Sequence, residues 1–285
     1  MGVLSPSAGE IKSIALEFCT GAGICRAGVL DGREAELSAL AVPAGLSYLV
    51  ASPAVRADIT KWFPQARSVL VCSFQYWDAP LEARRRLLSK TELETLERSR
   101  GGRKNRPPDG AGPFEVARYY MFRDYHETVR IRLDNILAAL KKRWPDIEGR
   151  AFVDSSPVSE KRLAALCGLG WVGRNGLLVG KGGSWFNLGG LALSCEVECA
   201  SVLVENGCGA CRECEKACPT GALSGGGIKL SRCLAHWLTQ KKENPPEDLV
   251  SLLSSKAGGC DRCQQACPYN AGPDGKALEP LSVEY

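Results

Sequence analysis

Hydrophobic residues in the N-terminal part of the chain recur at two different spacings. Helical spacing predicts helices over residues 10–18, 124–143 and 158–167. Shorter apolar runs predict strands, which cover residues 24–30, 68–74, 151–153, 177–179 and 188–193. Because helices and strands interleave, this region is predicted to be α/β or α+β.

Two of these helices have an apolar face that can be read from the sequence. Gly21 and Gly23 predict the break after the first helix, and Pro145 predicts the end of the second. The two faces consist of Ile11, Ile14, Ala15 and Phe18, and of Val129, Leu133, Ile136, Leu137 and Leu140.

Two stretches lack this periodicity. Residues 78–113 are polar, basic and rich in glycine and proline, so they predict a mobile loop. We expect this loop either to be solvated surface or to contact RNA phosphates. The region from about residue 205 is rich in Gly, Pro and Cys, which favours a domain folded around inorganic clusters. The basic residues of the loop include Arg84, Arg85, Arg86, Arg100, Arg103, Lys104 and Arg106.

The composition excludes several classes of protein. The chain has 285 residues, of which 45% are hydrophobic and 24% are charged, and this is typical of a globular protein. No apolar run reaches the roughly 18 residues of a membrane span, and the N-terminus shows no export signal. We therefore expect a cytoplasmic protein without membrane contact. The formal net charge of +4 is compatible with an RNA partner and does not require one.

Cysteine is the most informative residue type. The chain has 14 cysteines, and eight of them lie between Cys208 and Cys267. Because a reducing compartment disfavours disulfides, this clustering predicts a metal site. The other six are predicted to be small buried apolar residues, namely Cys19, Cys25, Cys72, Cys167, Cys195 and Cys199.

The spacing of the clustered cysteines is that of bacterial ferredoxins with two [4Fe–4S] clusters. It reads Cys208-x2-Cys211-x2-Cys214-x3-Cys218-Pro219, followed by the partial copy Cys260-x2-Cys263-x3-Cys267-Pro268. In this pattern the cysteine that precedes proline binds the cluster that the other motif holds. Cys233 supplies the eighth thiolate. A zinc site is the alternative, although zinc uses four ligands in CxxC pairs. The two predicted sets are Cys208, Cys211, Cys214 and Cys267, and Cys218, Cys233, Cys260 and Cys263.

The sequence shows no other strong cofactor motif. GLGWVG at 168–173 fits a dinucleotide-binding loop only crudely because it follows a predicted helix. No P-loop is present, and two histidines are too few for a multi-histidine metal site. The clusters are thus predicted to pass single electrons to an acceptor that these motifs do not identify.

Several ordered motifs resemble those of the epoxyqueuosine reductase family. They are YLVASPAVRADITKWFPQARSVLVCSF (48–74), ARYYMFRDYH (117–126), VDSSPVSEKRLAALCGLGWVGRNGLLV (153–179), GSWFNLGGL (183–191) and GCDRCQQACPYN (259–270). The resemblance implies an α+β fold, with a cobalamin-binding α/β sandwich domain over 1–197 and a ferredoxin-like 2[4Fe–4S] domain over 198–285. It also implies a bound cobalamin in the base-off state.

The resemblance further implies a function. Family members carry out the cobalamin-dependent two-electron reduction of epoxyqueuosine to queuosine at the tRNA wobble position. The implied catalytic acid is Asp154, whose pKa a water-poor pocket beside the corrin would raise. Capping of the following helix is the alternative role for this residue. The implied corrin contacts are Arg56, Asp154, Leu178, Leu188, Leu234 and Arg262. For the three leucines, packing in the protein core is the alternative.

The implied partners are a tRNA with a queuosine-type anticodon and a flavodoxin or ferredoxin electron donor. We expect a monomer. The chain stops at Tyr285 without the helical-repeat extension that family members usually carry. A substrate smaller than tRNA is therefore an alternative. Two other functions also stay open: a dehalogenase-like corrinoid reductase of a small electrophile, and a non-enzymatic ferredoxin-type electron carrier.

Overall fold

The computed structural model describes residues 5–39, 51–77, 86–100, 112–198, 203–239 and 244–271. They form two compact units. The first unit comprises Met1–Phe74, Val129–Trp171 and Asn187–Glu205, and the second comprises Gln75–Thr128, Val172–Phe186 and Asn206–Tyr285. These units do not follow the predicted boundary at residues 197 and 198. Cysteine density reveals only the ligand-bearing segment, and it cannot show which distant segments fold together with that segment.

Short helices and strands alternate along the described chain. The helices are α1 (Ala8–Leu16), α2 (Arg33–Ala39), α3 (Pro53–Ala57), α4 (Lys90–Arg100), α5 (Tyr125–Arg143), α6 (Glu160–Leu166), α7 (Glu213–Lys216), α8 (Leu234–Thr239), α9 (Glu247–Leu253), α10 (Arg262–Gln265) and α11 (Pro268–Ala271). The strands are β1 (Gly21–Arg26), β2 (Ser68–Gln75), β3 (Glu115–Val116), β4 (Gly149–Phe152), β5 (Trp171–Val172), β6 (Leu178–Val179), β7 (Phe186–Leu193), β8 (Leu223–Ser224), β9 (Gly227–Ile228) and β10 (Lys256–Ala257). Short 3-10 helices cover Ile59–Lys61, Arg118–Met121 and Leu230–Arg232.

The first unit contains a four-stranded sheet with the strand order β1-β2-β7-β4. Strands β1 and β2 are antiparallel, with Ile24 opposite Leu70, and β4 and β7 are antiparallel, with Phe152 opposite Gly190. Antiparallel strands combined with helices confirm the predicted α+β class. Helix α5 confirms the predicted helix over 124–143, because its buried side chains are the predicted Val129, Leu133, Ile136 and Leu140.

Helix α1 ends earlier than predicted. It begins with a capping box, in which Ser7 Oγ accepts from the Glu10 N–H and the Ser7 N–H donates to Glu10. Gly21 and Gly23 lie within β1 and do not mark the end of the helix. A Cβ on Gly23 would overlap the backbone of Cys167, so close packing requires glycine in this strand.

The second unit contains small two-stranded ribbons. Strands β3 and β10 are parallel, with Glu115 opposite Lys256, and β8 and β9 are antiparallel. Among the residues that the structure describes, no helix combines the length and the apolarity needed to cross a membrane. One apolar cluster of this unit comprises Leu88, Leu93, Phe114, Val116, Ala117, Tyr120 and Ala257. Another comprises Leu234, Trp237, Leu238, Leu249 and Leu253.

Helix α4 lies inside the stretch that was predicted to be a mobile loop, so that prediction is wrong for residues 90–100. The helix packs through the buried Leu93 against the first of these apolar clusters. A capping box begins it, because Ser89 and Glu92 exchange hydrogen bonds between side chain and backbone. The S-x-x-E sequence was a local signal for this helix, and the polar composition around it concealed that signal.

Candidate metal centre

Four cysteines line one cavity of about 60 Å³ in the second unit. They are Cys218, Cys233, Cys260 and Cys263. These are the four residues that the sequence assigned to a single cluster. Asn175, Leu234 and Arg262 are among the other residues that line this cavity.

Short helical turns position these thiols. Cys218 follows α7, and its N–H donates to the Glu215 carbonyl at 3.3 Å. Cys233 ends the 3-10 helix Leu230–Arg232 and directly precedes α8. Cys260 lies two residues before α10, and Cys263 lies in that helix. Each thiol is therefore attached to a local turn, and the packing of the unit brings the turns together.

The second predicted set of cysteines also consists of neighbours. Burial raises the pKa of Cys214, and the Cys208 and Cys267 thiols raise it further. Burial also raises the pKa of Cys267, which has Cys208 and Cys211 as charged neighbours. The Cys211 N–H donates to the Cys208 carbonyl at 2.8 Å. The structure therefore brings Cys208, Cys211, Cys214 and Cys267 near one another.

The cavity thiols differ in acidity. Burial raises the pKa of Cys263 to about 12, and the Cys260 and Cys233 thiols add to this shift. Burial also acts to raise the pKa of Cys218, but backbone N–H groups, those of Thr220 and Leu223 among them, lower it by more. Because iron binds the thiolate form, loading this cavity requires the release of protons.

The arrangement of the cavity thiols fits a cluster. Four thiolates that bind one zinc ion converge on a point about 2.3 Å from each sulfur. Within the described part of the chain, no three His, Cys, Asp or Glu side chains come together closely enough to hold one metal ion. The four cysteines line one cavity, and a cavity lined by four cysteines fits an iron–sulfur cubane.

A buried ion pair holds the turn that carries Cys260 and Cys263. Asp261 Oδ2 accepts from the Arg118 backbone N–H at 2.8 Å and from Arg118 Nη1 at 3.1 Å. The two side chains are only 8% and 3% exposed. The Arg118 guanidinium also lies over the ring of Trp185, 4.5 Å from its centroid. The ion pair therefore fixes the turn to the 3-10 helix Arg118–Met121.

Replacing Arg118 by methionine is expected to lower the apparent free energy of unfolding by about 3–5 kcal/mol, because Asp261 would remain buried without its charge partner. Urea unfolding of the anaerobic holoprotein, followed by circular dichroism, measures this loss. As the matched control, Arg130→Met breaks the exposed Arg130–Asp134 pair and should cost less than about 1 kcal/mol. Equal losses in the two variants would contradict a stabilising role for the buried pair.

Asp154 lies directly after Val153, at the end of the β4 segment, as predicted. It has a positive φ of 44°, in the left-handed region that few residues other than glycine adopt. Its N–H donates to Glu160 Oε1 at 2.6 Å. The residue is exposed, so the predicted water-poor pocket is not formed around it by the described chain: Asp154 lies in a surface turn. The alternative capping role is also not observed, because Ser159 precedes α6.

Arg56 belongs to the same charged cluster of the first unit as Asp154. Burial lowers the pKa of Arg56 and Arg33 lowers it further, whereas Glu160 and Asp154 raise it. Arg56 Nε donates to the Ala51 carbonyl at 2.9 Å. The structure thus brings together two of the residues predicted to contact the corrin.

The other four predicted corrin contacts are divided between the units. Leu188 is partly buried in β7 of the first unit, whereas the other three belong to the second unit. Leu178 is buried in β6, and Leu234 packs in the apolar cluster with Trp237. Arg262 lies 3.4 Å from Glu115, which also pairs with the buried Lys256. Leu178 and Leu234 are therefore both buried, and Leu234 and Arg262 also border the thiol cavity.

The basic residues of 78–113 are not uniformly exposed. Arg100 is 4% exposed and donates to the Tyr120 and Phe122 carbonyls, both at 2.6 Å. It cannot contact phosphates, because its guanidinium is buried on backbone carbonyls. Arg86 pairs with Glu92 at 2.5 Å. Five residues lie outside the described residues: Arg84, Arg85, Arg103, Lys104 and Arg106.

The scattered cysteines also differ in burial. Cys19, Cys25 and Cys72 are buried, as predicted. Cys167 and Cys195 are only partly buried, so the prediction of full burial is wrong for these two. Cys199 lies outside the described residues.

Sequence reasoning missed the polar residues around the thiols. Arg118 lies within ARYYMFRDYH, and Arg174 and Asn175 lie within GLGWVGRNG, but none of them was predicted to contact the metal centre. Their position within these motifs was the available signal. Their burial depends on packing between distant segments, which no local pattern shows.

Two family models match the chain. The model described as "Epoxyqueuosine reductase QueG, DUF1730" matches residues 56–155. The model described as "4Fe-4S double cluster binding domain" matches residues 207–270. The second match contains all eight predicted ligands.

Proteins and solved structures that carry the same name are similar to this chain. An epoxyqueuosine reductase of Aliivibrio fischeri is 38% identical over 143 residues, which cover 50% of this chain and 38% of the relative. A crystal structure of epoxyqueuosine reductase with an epoxyqueuosine-modified tRNA-Tyr stem loop has a TM-score of 0.70 at 25% identity, covering 93% of this chain and 65% of the other. A reductive dehalogenase structure has a TM-score of 0.53 at 16% identity, covers 99% of this chain and 35% of the other, and shows the fold alone.

The chain thus spans less than two thirds of the Aliivibrio relative and of the tRNA-bound structure. A longer alignment exists with an epoxyqueuosine reductase of Gloeobacter violaceus, which is 32% identical over 252 residues. This alignment covers 86% of the chain and 70% of the relative. The chain therefore belongs to the epoxyqueuosine reductase family.

Proposed function

We propose that this protein reduces the epoxide of epoxyqueuosine in tRNA to the alkene of queuosine. The observation that carries this proposal is the cavity lined by Cys218, Cys233, Cys260 and Cys263 in a chain of this family. The tRNA-bound structure named above supports tRNA as the substrate. A flavodoxin or ferredoxin donor and a cytoplasmic location belong to the same proposal.

The eight cysteines would hold two [4Fe–4S] clusters in the two groups described above. Bound clusters would supply single electrons at low potential. Cys263 of the cavity has the Cys214 thiol of the other group among its charged neighbours, so the two groups lie close together. Short separation between the clusters favours transfer of electrons from one to the other.

A base-off cobalamin is the proposed electron acceptor, and it would supply the reducing chemistry at the substrate carbon. Leu234 and Arg262 would contact it, and both side chains border the thiol cavity. In this proposal the protein would supply no imidazole to the cobalamin. His126 Nδ1 lies 2.5 Å from Asp124 Oδ1, and His236 is buried in α8, so both histidines have other surroundings.

Asp154 is the proposed proton donor. Conversion of an epoxide to an alkene consumes two electrons and two protons and releases water, so the departing oxygen needs an acid. The exposed carboxyl of Asp154 is accessible to substrate, and the contact with Glu160 holds the turn that carries it. A left-handed aspartate in such a turn stores backbone strain of the kind that is frequent at functional sites.

Turnover of a defined substrate tests the proposed function. The protein is reconstituted anaerobically with iron, sulfide and cobalamin, and is given an epoxyqueuosine-containing stem loop and a low-potential reductant. We expect queuosine in the nucleoside digest, measured by mass spectrometry, and no queuosine when cobalamin is omitted. Protein that holds both clusters but takes up no cobalamin, or forms no queuosine, would contradict the proposal and favour an electron carrier.

A further inference from the structure

The turn between β5 and β6 carries two polar side chains toward the cysteine-bearing segments of the second unit. The Gly173 N–H donates to the Leu177 carbonyl at 2.8 Å, and the Leu177 N–H donates to Asn175 Oδ1 at 3.2 Å. Gly176 has a φ of +74°, which favours glycine at this position. The turn is therefore well defined, and its Asn175 lines the thiol cavity.

Arg174, the neighbouring residue, contacts the segment of the other cysteine group. Its Nη2 donates at 2.8 Å to the carbonyl of Gly209, which lies between Cys208 and Cys211. Its Nη1 lies 3.9 Å from Glu215, which directly follows Cys214 and has a side chain only 12% exposed. The guanidinium is thus attached at two points to the segment that holds three predicted ligands.

The remaining guanidinium nitrogen, Nε, has no hydrogen-bond partner among the residues that the structure describes. Arg174 Nε is buried, and within the described residues it is the single buried side-chain nitrogen or oxygen without a hydrogen bond. Burying a charged donor without an acceptor is unfavourable, so native structures rarely leave one unpaired. An acceptor other than protein is therefore expected at Nε. The two anchored nitrogens place this acceptor close to the Cys208–Cys214 segment.

We propose that Arg174 Nε donates a hydrogen bond to a sulfur of the cluster held by Cys208, Cys211, Cys214 and Cys267. A reduced cluster carries one more negative charge than the oxidised cluster, so a hydrogen bond to its sulfur stabilises the reduced form and raises the reduction potential. In this proposal Arg174 raises the reduction potential of that cluster. This inference rests on the cluster assignment of the proposed function, and it does not depend on the substrate.

Redox titration of the anaerobic holoprotein, followed by electron paramagnetic resonance, tests this inference with Arg174→Met and Arg174→Lys. Neither variant has an N–H donor at the position of Nε, and lysine keeps the positive charge. At a fixed potential we expect the ratio of reduced to oxidised cluster to fall about tenfold in both variants, which is about 59 mV for one electron. No shift in either variant, or a shift in the methionine variant alone, would overturn the proposed hydrogen bond.

Arg212 offers a matched control. It pairs with the same Glu215 at 3.2 Å and directly follows Cys211, but its side chain is 56% exposed. Solvent screens an exposed charge, so Arg212→Gln should change the reduced fraction less than about twofold. A tenfold change in this variant would assign the effect to surface charge and overturn the proposal.

A second measurement uses the unsubstituted protein. Holoprotein labelled with 15N-arginine is reduced, and pulsed electron paramagnetic resonance measures the coupling between arginine nitrogen and the cluster. We expect a 15N coupling that Arg174→Lys removes. Its absence from protein with full iron and sulfide content, or its persistence in Arg174→Lys, would overturn this inference alone. Protein that assembles no clusters would instead overturn the proposed function.

Discussion

Replacing Cys263 by alanine is expected to remove one of the two [4Fe–4S] clusters and to abolish turnover. Cys263 is one of the four thiols around the cavity, and alanine cannot ligate iron. The other cysteine group does not include Cys263, so its cluster should remain. The iron and sulfide contents should therefore fall by half, and no queuosine should form, because the electron relay is interrupted.

Two further variants sharpen this measurement. Cys267→Ala should remove the other cluster, even though Cys267 is close to Cys263 in sequence. Cys195→Ala is the matched control, because Cys195 is a partly buried cysteine outside both groups, and it should retain full iron. Electron paramagnetic resonance of the remaining cluster distinguishes the first two variants. Full iron content in Cys263→Ala, or the same remaining cluster in both variants, would contradict the assignment.

Replacing Asp154 by asparagine is expected to lower turnover by about 10²–10⁴-fold, which is the usual contribution of a general acid. Asparagine has nearly the same size, and it tolerates the left-handed conformation found at this position. It has no acidic proton, so the departing epoxide oxygen would lack its donor. Single-turnover formation of queuosine by the reduced holoprotein measures this loss.

Cofactor content decides how the Asp154 result is interpreted. The asparagine variant should retain both clusters and the bound cobalamin, measured by iron analysis and by absorption spectroscopy. Ser155→Ala is the matched control, because Ser155 is exposed in the same turn, and it should keep most of the activity. Turnover above a tenth of the original in Asp154→Asn would remove the acid role, and loss of cofactor would assign the defect to binding.

Local patterns predicted the elements that depend on local chain properties. Periodicity located α5 and β2, because each buries one continuous apolar surface. Composition failed for α4, where a capping box and the buried Leu93 stabilise a helix within a polar stretch. It was also wrong for Gly23, which was predicted to mark the end of a helix. Gly23 lies in a strand, where it packs closely against Cys167.

The sequence by itself determined the short turns that carry the cysteines, because such turns are local, and it determined the position of Asp154 after a strand. Only the tertiary structure decided which side chains surround the thiols. Arg118 and Asp261 are 143 residues apart, and Arg174 and Gly209 are 35 apart. Such contacts form only when the packing of distant segments offsets the unfavourable free energy of burying charge. No local sequence pattern contains this information.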